Sequence, residues 1–211
     1  GLKVTRTRNL ELGGKALLFH DRLSITADVF RTDTSNARVT DADGNPTFIG
    51  KTRNQGFELG FNGNVTEKWT IFGGYTYLDA KITDGGMTVT TATVSGTPVS
   101  VSAPSVNTGK RVPITAKHTF ALTTTYQVTP KLSIGGGGYY TSSVNSGYGD
   151  DRHIVGTVAN HQLVITRTIT RYVPGYVRID AKSGYKINDH IELRLNVENM
   201  TNQSYFAHVF T

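Results

Sequence analysis

The sequence contains no cysteine and only 6 prolines in 211 residues. Without cysteine the chain forms no disulfide and offers no thiolate ligand to a metal. It also has no apolar run near the roughly 20 residues that a membrane helix needs, and its mean hydropathy is -0.27. The lack of a long apolar run excludes helical membrane spans in these residues. It does not exclude membrane-spanning strands, whose apolar residues occupy only alternate positions.

Charge is the next constraint, because charged residues make up 18% of the chain and the formal net charge is +6. A basic balance predicts anionic partners, which include nucleic acid, anionic lipid headgroups and anionic small ligands. The lysines and arginines are spread along the sequence, with no basic run and no recognition helix. The pattern therefore predicts no nucleic-acid partner.

The stretch from Gln55 to Ala80 predicts a long β-hairpin with one apolar and one polar face. In its first strand Phe57, Leu59 and Phe61 fall at every second position, which is the period of a strand. A polar connection at 66–68 reverses the chain, and the alternation then resumes. The residues on one face of the return strand are Trp69, Ile71, Gly73, Tyr75 and Tyr77. Aromatic residues near both ends of such a hairpin are typical of an outer-membrane barrel, because their rings favour the two water-lipid boundaries.

The same unit occurs four times along the chain. Outside this hairpin, the alternation predicts strands at 10–19, 23–36, 119–128, 132–140, 177–187 and 191–198. Every second connection is short, and the short ones are 20–22, 66–68, 129–131 and 188–190. A periplasmic rim of short turns and an extracellular rim of long loops are typical of outer-membrane barrels. The predicted fold class is all-β, an antiparallel up-and-down transmembrane β-barrel segment of about eight strands.

The last pair of strands, 177–187 and 191–198, alternates charged with aliphatic residues. Such a pattern does not suit a dry sandwich core, but it suits a face toward a water-filled or protein-filled lumen. Several strands exceed the roughly 9 to 11 residues that span a bilayer, so we expect them to project beyond the membrane. Of the long connections, 83–117 is predicted to be an exposed functional loop or a small extra hairpin, and 146–171 a second long loop.

Five segments of the sequence resemble one family of outer-membrane proteins. They are Lys15–Phe30, Thr52–Glu58, Tyr75–Ala80, Gly109–Pro113 with His118, and Leu193–Asn202 with Tyr205. In order and spacing they are similar to the C-terminal half of the barrel of TonB-dependent outer-membrane receptors, and most similar to the catecholate and ferrichrome siderophore receptors. The resemblance implies a barrel of about 22 strands, of which this chain would supply about eight, strands 14 to 21.

The resemblance also implies a function. The protein would be a receptor and transporter in the outer membrane of a Gram-negative bacterium, and it would take up a ferric siderophore with energy from TonB, ExbB and ExbD. The chelate would pass intact, so the resemblance implies no catalytic residue, no resident metal and no covalently bound cofactor. Residues 1–211 would form one partial barrel domain in contact with outer-membrane lipid and lipopolysaccharide. The plug domain and the TonB-contacting segment of the family have no counterpart in these residues.

We expect the start of the sequence to be processed or truncated, and the sequence to be a piece of a larger chain. Gly1–Val4 does not begin a signal peptide, because no apolar core or small-residue cleavage site follows it. Phe206–Thr211 ends without a turn or a closing strand. These residues alone are therefore expected neither to close a barrel nor to transport.

Basic and aromatic residues in the two long connections are the candidate substrate-binding residues. They are Lys110, Arg111, Tyr148, Arg152, Arg167 and Arg171. Their cations pair with the ionised oxygens of an anionic iron chelate, and the tyrosine ring suits stacking on catechol rings. Two alternatives remain open. The cations bind lipopolysaccharide phosphates or only keep the loops soluble, and Tyr148, with Tyr139 and Tyr140, belongs to the aromatic girdle.

Asp150, Asp151 and His153 allow a different chemistry. Carboxylates and an imidazole in one loop are suitable metal ligands, or form an Asp/His pair that activates water as in outer-membrane proteases. The alternative is that they are ordinary solvated loop residues. A hydrolase is therefore a third hypothesis, after the siderophore receptor and a complete small eight-stranded outer-membrane barrel with a structural or adhesive role.

Overall fold

The structure is a computed structural model that describes residues 4–40 and 46–206. The elements in these ranges are β1 (Arg6–Leu18), β2 (Leu23–Thr40), β3 (Pro46–Thr66), β4 (Trp69–Asp84), β5 (Met87–Val94), β6 (Thr97–Pro104), β7 (His118–Gln127), β8 (Leu132–Thr141), β9 (Val144–Asp150), β10 (His153–Gly156), β11 (His161–Val164), β12 (Thr168–Val173), β13 (Tyr176–Lys186) and β14 (Glu192–Val197). Within the same ranges, no helix has both the length and the apolar character needed to cross a membrane. The predicted all-β class is confirmed.

Eight strands form one antiparallel sheet in the order β1-β2-β3-β4-β7-β8-β13-β14. Neighbours in this order follow each other along the chain, apart from the strands inserted in the long connections. The short connections lie along one rim, and in the first of them Phe19, His20 and Asp21 adopt positive φ angles of 56°, 57° and 64°. Strands β1 and β14 are the edges of the sheet. The predicted up-and-down order of eight strands is confirmed.

Alternation gives the sheet one apolar face, and direct pairing keeps that face continuous from strand to strand. Leu12 lies opposite Val29, Val29 opposite Phe57, Phe57 opposite Tyr77, and Tyr77 opposite His118. Residues paired in an antiparallel ladder share a face. The exposed fraction is 76% for Leu12 and 54% for Val29. Apolar side chains exposed across a whole sheet indicate a surface that meets lipid or protein rather than water.

Aromatic rings lie near both ends of the apolar face. At the upper end, on the side of the long connections, the Phe57 ring centroid is 5.5 Å from that of Tyr75 and 5.7 Å from that of Tyr77. At the short-turn end, Trp69 Nε1 donates to Thr124 Oγ1 at 2.8 Å. Tyr77 follows Trp69 by eight residues on β4, or about 26 Å along a strand. At a strand tilt of about 40° this is a height of about 20 Å, which fits the roughly 25 Å apolar band of outer-membrane barrels.

The long connections form small hairpins beside the upper end of the sheet. The first contains the predicted extra hairpin, β5 paired with β6. The second long loop predicted at 146–171 is a long connection between β8 and β13, but it also contains four strands that were not predicted, with β9 paired to β12 and β10 to β11. These strands are only 4 to 7 residues long, so their alternation is too short to detect in the sequence. The two connections touch each other, since β10 contacts β5.

The aromatic-girdle interpretation holds for Tyr140 and is wrong for Tyr139. Tyr140 lies opposite Val177 on the apolar face. Tyr139 lies opposite Arg178 on the polar face, with the guanidinium carbon 4.5 Å from the ring centroid. Residues 135–138, which precede both tyrosines, are all glycine and have no side chains. The sequence therefore does not show which of the two tyrosines lies on the apolar face.

Candidate functional site

The end of the first long connection runs along the upper part of β4. The amide of Ile82 donates to the carbonyl of Lys110 at 2.8 Å, and the amide of Gly109 donates to the carbonyl of Ile82 at 2.7 Å. Lys81 and Arg111 form an antiparallel bridge in the same place. Ile82 is only 1% exposed. Backbone pairing and burial therefore fix the positions of Lys110 and Arg111.

Lys110 and Tyr148 form the centre of the candidate site. Lys110 Nζ lies 4.7 Å from the centroid of the Tyr148 ring, which is a cation–π geometry. The Tyr148 hydroxyl accepts a hydrogen bond from the side-chain amide of Asn145. Arg111 Nη1 donates to the carbonyl of Ser143 at 3.3 Å. Three predicted residues are thus brought together, and we call Lys110, Arg111 and Tyr148, with Asn145, the Lys110–Tyr148 cluster.

Burial raises the pKa of Tyr148 above its ordinary value, so the phenol stays neutral at physiological pH. A neutral ring retains its π face for Lys110 and for a ligand ring. The cluster therefore offers an ammonium, a guanidinium and a neutral aromatic ring. This combination suits an anionic aromatic ligand.

Asn145 is the residue of the cluster that sequence reasoning missed. It is 3% exposed, and its carbonyl accepts from the amide of Ile114 at 2.8 Å. Through this hydrogen bond Asn145 joins the two long connections, and through its side chain it orients Tyr148. A single asparagine in a stretch rich in serine and glycine gives no sequence signal for this role.

The Arg152 side chain binds a residue of its own loop and not the Lys110–Tyr148 cluster. Its Nε and Nη2 atoms donate to the two carboxylate oxygens of Asp150 at 2.7 and 2.5 Å, which makes a bidentate ion pair. The side chains are 14% and 6% exposed, and the guanidinium holds the pKa of Asp150 below its ordinary value. Only Nη1 is without a hydrogen-bond partner among the residues that the structure describes. Arg152 therefore holds the turn between β9 and β10.

Arg167 and Arg171 are not brought to the Lys110–Tyr148 cluster. In the β9–β12 ladder Thr170 lies opposite Tyr148, and Arg171 lies opposite Gly147. The Arg171 side chain consequently projects from the other face of that hairpin. Arg167 is exposed, and its backbone amide donates to Asp151 Oδ1 at 2.8 Å.

The residues considered for metal or hydrolytic chemistry are held by loop contacts. Asp151 accepts from the amides of Thr166 at 2.9 Å and Arg167 at 2.8 Å, and from the Thr166 hydroxyl. These hydrogen bonds, chiefly that of the hydroxyl, lower the pKa of Asp151 to about 2, so it is a weak base at neutral pH. His153 Nδ1 lies 2.8 Å from the carbonyl oxygen of Asp151, not from a carboxylate. Across the described part of the chain, no group of three such side chains is placed to hold a metal.

Comparison with known proteins identifies the barrel to which these loops belong. Residues 1–200 match the family described as TonB dependent receptor-like, beta-barrel. The chain belongs to this TonB-dependent receptor family. The resemblance inferred from the five sequence segments is confirmed.

Two relatives in this TonB-dependent receptor family are siderophore receptors by name. The chain is 34% identical over 203 residues to the probable TonB-dependent siderophore receptor PiuA of Acinetobacter baumannii, a match that covers 96% of this chain and 24% of PiuA. It is 31% identical over 207 residues to the catecholate siderophore receptor Fiu of Escherichia coli K12, and this match covers 98% of this chain and 23% of Fiu. The chain therefore spans about a quarter of the length of these relatives.

Solved structures of TonB-dependent receptors give the same result. The crystal structure of PiuA matches with a TM-score of 0.69 and 34% identity, over 95% of this chain and 25% of that one. The closed form of Escherichia coli Fiu matches with a TM-score of 0.70 and 31% identity, over 99% of this chain and 25% of the Fiu chain. The ferripyoverdine receptor of Pseudomonas aeruginosa shares the fold, with a TM-score of 0.66 and 19% identity. This match covers 97% of this chain and 24% of the receptor chain.

Membership of the TonB-dependent receptor family assigns the two faces of the sheet. The apolar face is the lipid-facing surface of an outer-membrane β-barrel of a Gram-negative bacterium, and the polar face lines the lumen. A closed eight-stranded barrel would pair β1 with β14, but within residues 4–40 and 46–206 these strands are opposite edges that do not pair. This arrangement contradicts the hypothesis of a small self-contained barrel. The relatives are named as receptors, which favours a non-enzymatic protein over a hydrolase.

Proposed function

We propose that the full-length protein is an outer-membrane receptor that imports a ferric siderophore as an intact chelate, with energy from TonB, ExbB and ExbD. The observation that carries the proposal is the identity of 34% to PiuA and 31% to Fiu over nearly the whole chain. Residues 1–211 would be one partial barrel domain that supplies wall and extracellular loops. The plug and the TonB contact would lie in the part of the relatives that this chain does not cover.

The Lys110–Tyr148 cluster supports a catecholate as the ligand class. A ferric catecholate carries ionised oxygens and flat rings, which match the cations of Lys110 and Arg111 and the ring of Tyr148. Arg167 and Arg171 would mainly raise the local concentration of an anionic ligand, whereas Arg152 is already paired with Asp150 and would hold the loop. No covalent step is required, so the proposal includes no catalytic residue and no cofactor.

Uptake that depends on TonB is the expected behaviour of the full-length protein. Cells that lack their own catecholate receptors and express this protein should accumulate radiolabelled ferric catecholate, and loss of TonB should abolish the accumulation. Equal accumulation with and without TonB would contradict the proposed function. The same assay with a ferric hydroxamate measures selectivity for the catecholate class.

Replacing Lys110 and Tyr148 with alanine should weaken binding of the ferric catecholate by at least about tenfold. Hydrogen bonds to charged groups contribute about 1.5–3 kcal/mol, and cation–π contacts contribute about 0.5–2 kcal/mol. The matched control replaces Lys131 and Tyr185, a cation and a tyrosine at the short-turn end of the sheet, with alanine; Tyr185 is 47% exposed. The control should keep its affinity. Unchanged affinity in the Lys110/Tyr148 variant would reject the cluster as the ligand site and leave the transport proposal standing.

A further inference from the structure

A bulge in strand β9 reverses the alternation of its side chains in the ladder that β9 forms with β12. Along this ladder the pairing passes from Gly147 directly to Asn145 and skips Ser146. An extra residue of this kind moves the residues beyond it to the other face. Gly147 has a φ of 142°, which a residue with a side chain rarely adopts. Asn145 and Tyr148 therefore project from one face, and the side-chain amide of Asn145 reaches the Tyr148 hydroxyl.

The same bulge brings Tyr172 beside the Lys110–Tyr148 cluster. Tyr172 lies opposite Asn145, and Thr170, two residues earlier on β12, lies opposite Tyr148. Residues two apart on a strand share a face, and aromatic side chains in this diagonal relation are within reach of each other. Burial raises the pKa of Tyr148, and the neighbouring Tyr172 raises it further, because two phenolates close together repel each other. Tyr172 is therefore a neighbour of the cluster on its ligand-facing side.

The two tyrosines differ in how much of each ring is open to a ligand. Lys110 Nζ lies over one face of the Tyr148 ring, 4.7 Å from its centroid, and the Tyr148 side chain is half-buried. Tyr172 is 70% exposed, more than any other aromatic residue in the parts of the chain that the structure describes. Tyr148 is therefore placed to hold the cation, and Tyr172 offers an open ring face.

A place in the barrel wall does not account for Tyr172. Its strand, β12, pairs with β9 in a two-stranded sheet that is separate from the eight-stranded one. The residue therefore lies outside the surface on which the aromatic girdle meets lipid. Because most of its ring is exposed, Tyr172 also gains little from burial of apolar surface. A large open ring beside the cations of Lys110 and Arg111 is suited instead to contact with a bound aromatic anion.

We propose that Tyr172 is a specificity-determining residue of the candidate site, which stacks on a ring of the chelate and so favours aromatic over non-aromatic iron chelates. Lys110 and Arg111 attract any anionic chelate, because Coulombic attraction does not depend on whether the anion carries a ring. Stacking requires a flat ring on the ligand. Discrimination between two anionic chelates is therefore assigned to Tyr172. This inference deepens the proposed function and rests on it.

Binding of two anionic iron chelates to the full-length protein in detergent micelles tests this role. One probe is the ferric complex of catechol, which carries aromatic rings, and the other is ferric citrate, which carries none. Tyr172→Leu keeps an apolar side chain but removes the ring. It should weaken binding of the catechol complex by about three- to tenfold, as expected for loss of an aromatic contact, and leave binding of ferric citrate unchanged. Tyr172→Phe keeps the ring and should retain the affinity for the catechol complex.

Two comparison variants separate the effect of the ring from other effects. Tyr185→Leu removes a tyrosine that is 47% exposed at the short-turn end, and it should bind the catechol complex like the unaltered protein. Lys110→Ala should weaken binding of both chelates, because it removes charge. Unchanged affinity of Tyr172→Leu for the catechol complex, or equal losses for the two chelates, would overturn the inference and leave the proposed function standing. No binding of the catechol complex by the unaltered protein would contradict both.

Discussion

Replacing Leu122 with lysine should destabilise the protein in a bilayer by about 2–4 kcal/mol, which is the cost of a cation on the lipid face near the midplane of an outer-membrane barrel. Leu122 lies on the apolar face of β7, opposite Gly73 and Gly138. Neither glycine has a side chain that would shield the new ammonium from lipid. The residue lies between Tyr140, near the upper boundary, and Tyr126, which pairs with Trp69 near the lower one, so the lysine has a long path to water.

The neighbouring residue supplies the control for this substitution. Thr123 lies on the lumenal face, opposite Phe72 and Gly137, and Thr123→Lys should change stability by less than about 1 kcal/mol because its ammonium stays hydrated. Urea titration of the full-length protein folded into vesicles measures both variants. Similar losses for the two lysines would contradict the assignment of the two faces.

Replacing Arg152 with alanine should open the β9–β12 hairpins, with a local cost of about 2–3 kcal/mol. Loss of one partner of a buried ion pair leaves the other charge desolvated, and a fully buried pair typically costs about 3–5 kcal/mol to break. Here Asp150 is 6% exposed and Arg152 14% exposed, within a thin loop layer, which is why the expected cost is lower. The unfolding of the main sheet should not change, because neither residue belongs to it.

Hydrogen exchange of the β9–β12 amides in the full-length protein measures this opening. The control is Arg167→Ala, which removes an exposed guanidinium from the same loop. A second variant, Asp150→Ala/Arg152→Ala, should recover part of the protection because no unpaired charge remains. If Arg152→Ala left exchange unchanged but abolished chelate binding, Arg152 would be a ligand contact and not a structural one.

The sheet was predictable because the alternation of apolar and polar residues, the short turns and the positions of the aromatic residues all indicate the same arrangement. Period-two alternation in 177–187 and 191–198, with a short turn between them, leaves one register, since a slip by one residue would turn charged side chains such as Arg194 into lipid. Aromatic residues at the ends of the 55–80 hairpin then favour the wall of a membrane barrel over a soluble β-sandwich.

The site was only partly predictable because its contacts join distant segments. Lys110 and Tyr148 are 38 residues apart in sequence, and their approach depends on the buried Asn145 and on pairing along β4. Arg152 looked like a free cation, but Asp150 two residues earlier folds back to bind it. Polar side chains in short, glycine-rich strands leave many pairings open in the sequence, and only the folded chain selects among them.

Residue-by-residue accessibility along β7 tests the central claim most directly. These 211 residues contain no cysteine. Single cysteines introduced at positions 120–125 of the full-length protein in membranes, with any cysteine outside these residues replaced by serine, can each carry a spin label. Labels at Phe120, Leu122 and Thr124 should be relaxed mainly by lipid-soluble oxygen. Those at Ala121, Thr123 and Thr125 should show no such lipid contact. A period of two would support an outer-membrane barrel wall, and uniform accessibility at all six positions would contradict it.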